Sequence, residues 1–177
     1  MAKALTFNDS MKAAILCGCK TVTRRPIKFP CQRSGVDSNM WYWESVTSEL
    51  TTAALNSDVD ILIPAHTRLF IKSAQESLIA HCPYGSVGDL VELATRRAKR
   101  DLAIFARATL TAISVEHLHD ISEQEAIAEG MPKDDPRTRF LCTWDGIYES
   151  SPYGWFKDPA VWVLAFEVTE ILPGVPE

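Results

Sequence analysis

The sequence predicts an α+β fold, a small mixed or antiparallel β-barrel with flanking α-helices. Three observations lead there. Several β-prone runs are joined by hairpin-length turns, and helix signals are confined to the start of the chain and to the stretch before its last strand. The composition, 46% apolar and 23% charged, is that of a folded globular chain. At 177 residues the chain fits one domain with a sizeable core, carrying a long insertion at about 28–88.

Asn8 or Asp9 caps a first helix in which Met11, Ala14 and Ile15 recur at helical spacing, and Gly18 stands where a left-handed C-terminal cap belongs. Thr21-Val22-Thr23-Arg24 suits a short strand closed by Pro26. Residues 28–66 lack periodicity and contain Trp41-Tyr42-Trp43, so they read as a decorated insertion; loops of such length are usually functional or disordered. Val59–Pro64 and Arg68–Lys72 suit a hairpin.

Turn chemistry in Pro83–Asp89 leads into a strand over Leu90–Thr95, and a basic turn, Arg96–Asp101, follows. Leu102–Leu118 reads as a long strand with a bend or bulge. Ser122 and Glu125 form a capping box for a short helix that stops at Gly130, placing Glu129 at its last turn. Pro136 suits the first position of another helix, with Phe140, Leu141 and Trp144 as its apolar stripe. Ala160–Val168 is a final strand, and both Trp144 and Trp162 fall in apolar patterns that suit a core.

Charge and cysteine usage narrow the function. Eighteen lysines and arginines against 23 acids leave a net charge of −5, which argues against tight sequence-independent duplex binding, since that rests on many phosphate neutralisations. No apolar run reaches the roughly 20 residues of a membrane helix, and the N-terminus lacks a secretory core, so no membrane partner and a cytoplasmic location are expected. Five irregularly spaced cysteines suit reduced thiols. Cys31, His81 and Cys82 could meet only if the insertion folds back, and no metal or other cofactor is expected.

The stretch Gly18-Cys19-Lys20-Thr21-Val22-Thr23-Arg24-Arg25 concentrates cations and hydroxyls in an acidic chain. Followed by "CPYGSVGDLVEL", "ISEQEAIAEGM", "FLCTWDGIY" and "DPAVWVLAFEV", it resembles the ASCH family of the PUA-like superfamily, and most closely its longer phage and prophage members. The resemblance implies a PUA-like barrel with a cleft used on RNA or modified nucleosides. In one branch, a lysine, a threonine and a glutamate hydrolyse the acetyl amide on the exocyclic amine of acetylcytidine. These roles fall on Lys20, Thr23 and Glu129 here. The chain departs from phage relatives where Leu90-Val91-Glu92-Leu93 replaces a Trp-Val-Arg-Glu strand, which implies an altered cleft wall.

The implied chemistry sets physical conditions. A threonine hydroxyl needs a base, and a lysine serves only when burial or nearby cations lower its pKa from about 10.4 toward neutrality. Arg24 and Arg25 supply such cations, and Glu129 would protonate the leaving nitrogen or position water. Residues 20 and 23 face opposite sides of an ideal strand, so Lys20 must leave the glycine turn before the regular strand begins. For nucleotide binding the expected residues are Thr21, Arg24, Arg25, Trp41 and Trp43, the tryptophans by base stacking, worth about 1–3 kcal/mol per base. Structural readings stand beside these: ion pairs for the arginines, a solvated acid for Glu129, a solvated turn for Arg96–Arg100, and no assigned role for His117 and His119. A non-catalytic RNA-binding module and a ribonuclease are the alternatives to the amidohydrolase.

Overall fold

The computed structural model describes residues 3–28, 42–45, 68–72, 77–98 and 101–173. The chain divides into two compact units, Met1–Pro26 with Tyr84–Glu177, and Ile27–Pro83. The first unit holds strand β1 (Lys3–Phe7), helix α1 (Asp9–Leu16) and strand β2 (Val22–Pro26). After the second unit come β6 (Leu90–Ala98), β7 (Asp101–His117), helices α2 (Glu123–Ala128) and α3 (Pro136–Tyr148), and β8 (Ala160–Ile171). Strands β3 (Tyr42–Ser45), β4 (Arg68–Lys72) and β5 (Ser77–His81) belong to the second unit.

The first unit is built on a five-stranded sheet, ordered β1-β6-β7-β8-β2, that curls into a half-barrel. The α+β class expected from the sequence is the observed one. Pairing is antiparallel except between β1 and β6, which run parallel. Strand β8 lies between β7 and β2, and Ala160–Leu164 are buried without a break, which is why that stretch reads as continuous apolar sequence rather than alternation.

Each face of β8 serves a different core. Val161 and Val163 join Leu118, Ile121, Ala126, Phe140, Trp144 and Trp155 beneath α2 and α3. On the opposite side Phe166 meets Phe7 of β1, with ring centroids 6.3 Å apart. Trp144 and Trp162 are both buried, as their apolar settings predict. The Trp144 indole nitrogen donates to the Tyr153 carbonyl at 2.7 Å, so its polar edge is satisfied inside the core.

Local signals hold well where capping chemistry is explicit. Asn8 caps α1 by accepting from the Met11 N–H, and Gly18 takes φ +74° just beyond the helix. Ser122 and Glu125 form the expected capping box, and Gly130 follows α2 at φ +92°. Pro136 opens α3. Strand β7 is long and irregular, with register shifts opposite β8 at Arg107/Ala108 and Leu110/Ala112.

Other expectations are corrected. Strand β6 continues to Ala98, pairing Arg96 with Leu102 and Ala98 with Asp101, so the basic segment is largely strand rather than turn. Both edges of β4 are taken by β3 and β5, so the hairpin expected between 59–64 and 68–72 is not its pairing; residues 59–64 lie outside the described residues. Strands β1 and β5 carry no distinctive sequence signal and are defined by their partners. No helix among the described residues is long and apolar enough to cross a membrane.

Candidate functional site

Lys20 sits between the Gly18 turn and β2. The Cys19 and Lys20 amides both donate to the Ala14 carbonyl at 2.9 Å, which folds the chain back across the end of α1. Lys20 then forms an isolated antiparallel bridge with Glu129, the residue capping α2, while the Thr21 amide donates to the Ala128 carbonyl at 2.9 Å. The lysine leaves the turn ahead of the regular strand, which begins at Val22. Gly130 makes the crossing possible: a Cβ there would stand 3.0 Å from the Ala14 Cβ and 3.1 Å from the Lys20 Cβ.

The crossing brings Lys20, Thr23 and Glu129 into the interior, at 1%, 3% and 4% exposure. Lys20 Nζ donates to the carbonyls of Val22 and Glu129, each at 2.9 Å, and to Glu129 Oε2. Three acceptors match the three protons of an ammonium group. The other carboxylate oxygen, Glu129 Oε1, accepts the Arg24 backbone N–H at 2.6 Å. Glu129 is therefore no solvated acid at a helix end. The Thr23 hydroxyl has no hydrogen bond to another described residue.

Arg24 extends the cluster on the α2 side. Its guanidinium binds Glu116 through Nε, at 2.7 Å, and Nη2, lies 3.2 Å from Glu125 Oε1 and 3.6 Å from Glu129 Oε1, and sits over the Phe140 ring. Arg24 thus takes the ion-pair role. Arg25, next along β2, points to the other face: its Nη2 donates to the Thr6 carbonyl at 2.6 Å and its guanidinium lies 5.1 Å from the Phe7 centroid. Lys20 Nζ lies 6.0 Å from the same ring.

Burial controls the titration of this cluster. It pushes the Lys20 pKa below its usual value, with the positive charges of Arg25 and Arg24 acting in the same sense and the Glu129 carboxylate opposing them. Burial also raises Glu116 above the ordinary carboxylate value, although Arg24 pulls it down. For Glu125, burial is outweighed by hydrogen bonds from Ser122 and by Arg24, and its pKa falls. Glu116 carries no motif signal, and the role of neither acid in this cluster is legible in the sequence, since each gains it only from Arg24 reaching across from β2. The capping box did mark Glu125, for a different purpose.

Beside this cluster lies a groove of about 700 Å³ between the end of α1 and the bulged part of the β7–β8 ladder. Lys20 and Thr21 line it, as do Thr111 and Thr169, which occupy the two irregular positions of that ladder. Thr21 is exposed, with its backbone held by Ala128 and Phe166. Among the described residues, the one cation lining the groove is Lys20, which is bound to Glu129, and Glu167 and Glu170 also line it. Trp41 lies outside the described residues, and Trp43 is placed in β3 opposite Ile71. Cys31 is likewise outside them, and no group of three metal-ligating side chains occurs among the described residues.

No family model and no curated protein matches the chain. Among solved structures it is similar to a protein from Enterococcus faecalis V583 of the family described as DUF984, at 11% identity over 100% of this chain and 86% of that one, with a TM-score of 0.49. It is also similar to an ASCH domain from Lactobacillus crispatus JV V101, at 14% identity over 95% of this chain and 79% of that one, with a TM-score of 0.39.

Proposed function

We propose that this chain is an ASCH-type protein that binds a modified nucleoside beside Lys20 and hydrolyses the acyl amide on the exocyclic amine of an acylated cytosine. One observation carries the reading: a fully buried lysine, its pKa lowered chiefly by burial, is hydrogen-bonded to Glu129 three residues before a buried threonine. Residues 28–88 are an insertion into this domain.

The reactive form moves the shared proton from Lys20 to Glu129, leaving a neutral amine and a carboxylic acid. The Thr23 hydroxyl attacks the acyl carbon, its proton passing to Lys20, and Glu129 gives its proton to the departing cytosine amine. Water then attacks the acyl-threonine, losing its proton to Glu129, and Lys20 returns a proton to the threonine oxygen. The sum is one amide and one water converted to an acid and an amine, with no cofactor needed.

An uncharged nucleoside suits the groove better than a phosphate chain does, because its lysine is neutralised and two glutamates also line it. The saturation of all three Lys20 protons favours a second reading, in which the cluster is structural and the protein holds RNA or a nucleoside without chemistry.

Incubation with N4-acetylcytidine, with cytidine followed by chromatography and mass detection, separates them. The enzyme reading expects turnover that Thr23→Val and Glu129→Gln abolish while circular dichroism shows a folded chain. Absence of turnover by the wild type, or equal turnover by Thr23→Val, overturns it. Fragmentation of an RNA oligonucleotide in the same assay would point to a ribonuclease instead.

A further inference from the structure

The turn that delivers Lys20 carries two thiols that the proposed chemistry does not use. Cys17 follows α1 directly, Gly18 reverses the chain at φ +74°, and Cys19 comes next. Both cysteines are exposed. The reversal places Cys19 Sγ 3.9 Å from the Cys17 carbonyl, so the second sulfur lies back over the first residue. Cys17 Sγ in turn donates to the Ala14 carbonyl at 3.3 Å, the same oxygen that accepts the Cys19 and Lys20 amides. Beyond its chain neighbours Cys17 and Cys19, no described residue lies within 4 Å of where a Gly18 Cβ would stand, which leaves the turn room to adjust.

We propose that Cys17 and Cys19 form a reversible dithiol–disulfide pair, open to small disulfides such as oxidised glutathione, in the turn that positions Lys20. Two solvent-facing thiols one residue apart across a left-handed glycine meet the access requirement for exchange, and the glycine supplies the backbone freedom that a short disulfide ring demands. The thiols also differ. Hydrogen bonding from the Cys19 thiol lowers the Cys17 pKa, whereas the same interaction raises that of Cys19. Cys19 Sγ, lying back over residue 17, is placed to resolve a mixed disulfide formed on Cys17, and the lowered Cys17 pKa supports Cys17 as the attacking sulfur.

The exchange balances in two steps. The Cys17 thiolate attacks one sulfur of oxidised glutathione, forming a mixed disulfide and releasing one glutathione thiolate. Cys19 loses its proton to solvent and attacks the Cys17 sulfur, releasing the second glutathione. One disulfide is reduced and one is formed. Closure removes the Cys17 thiol donor from the Ala14 carbonyl, one of the ties on the carbonyl that holds Lys20.

Trypsin cuts after Lys12 and Lys20, so both thiols fall in the single peptide Ala13–Lys20, which contains no other cysteine. Full-length protein is equilibrated with mixtures of reduced and oxidised glutathione, quenched in acid, alkylated and digested. The expected result is a peptide that has lost two hydrogens and resists alkylation, recovered in full by dithiothreitol. A peptide that stays doubly alkylated at every ratio, or that retains glutathione instead of closing, overturns the proposal. With Cys19→Ser, glutathione is trapped on Cys17 severalfold faster than it is trapped on Cys19 in Cys17→Ser; equal or reversed rates overturn the assigned order of attack.

Discussion

Arg25 of β2 donates to the backbone carbonyl of Thr6 in β1 at 2.6 Å, joining the two outer strands of the five-stranded sheet. A sheet whose ends are β1 and β2 has two open edges, and this side chain spans them where the half-barrel curls. The planar guanidinium also rests on the Phe7 ring, a contact that a lysine ammonium reproduces poorly.

Arg25→Ala is accordingly expected to lower unfolding free energy by about 1.5–3 kcal/mol, the range for a hydrogen bond from a charged group. Arg25→Lys recovers only part of it. Urea denaturation measures both; a change within error for Arg25→Ala would show that the seam is held by something else.

Lys20 and Glu129 are expected to be coupled strongly. Removing one member of a buried pair typically costs about 3–5 kcal/mol, because the other charge is left behind. The two single changes are not equivalent here. In Lys20→Met the carboxylate keeps the Arg24 amide and guanidinium, so this variant is the milder, whereas Glu129→Gln deprives both cations at once. The double variant is more stable than the sum of the singles predicts. A double-mutant cycle by denaturation tests this, and strict additivity would refute it.

The pH dependence of stability follows from the direction of the Lys20 shift. Its folded pKa lies below the ordinary 10.5, so between those values the unfolded chain holds more protons than the folded one. Stability therefore rises with pH across that window and is flat below the folded pKa. Measured as the difference between wild type and Lys20→Met, the lysine's contribution should improve as pH climbs toward 10.5. A decline over that range would mean that Glu129 outweighs burial.

Gly130→Ala is expected to cost about 1–3 kcal/mol, because φ +92° is a conformation that residues with a Cβ rarely adopt. The new methyl group would also press on the side chains of Ala14 and Lys20. Thermal unfolding reads the loss. By contrast, Gly146→Ala in α3, where the added Cβ meets no described residue within 4 Å beyond its chain neighbours and its own helix backbone, should be neutral or stabilising.

Several parts of this protein were written locally. Ser122 with Glu125, Asn8 before α1 and Pro136 at the start of α3 act within one turn of chain, so residue type and spacing suffice to place them. The apolar run at 160–168 likewise announced a strand, and its first five residues are buried without a break. Strand β1 was silent, since five residues beginning with Lys3 gain their identity only from parallel pairing with β6.

The candidate site divides along the same line. Lys20, Thr23 and Arg24 are near neighbours, and the sequence alone marked their stretch as unusual in an acidic chain. Only the tertiary structure decided that Arg24 turns toward Glu116 and Glu125 while Arg25 turns toward Thr6, because alternation along β2 sends them to opposite faces. It also decided that Glu129, 109 residues from Lys20, is buried against it rather than solvated. Long-range charge pairing of this kind has no local signature: its energy depends on burial and distance, and both exist only after the sheet has curled and α2 has packed against it.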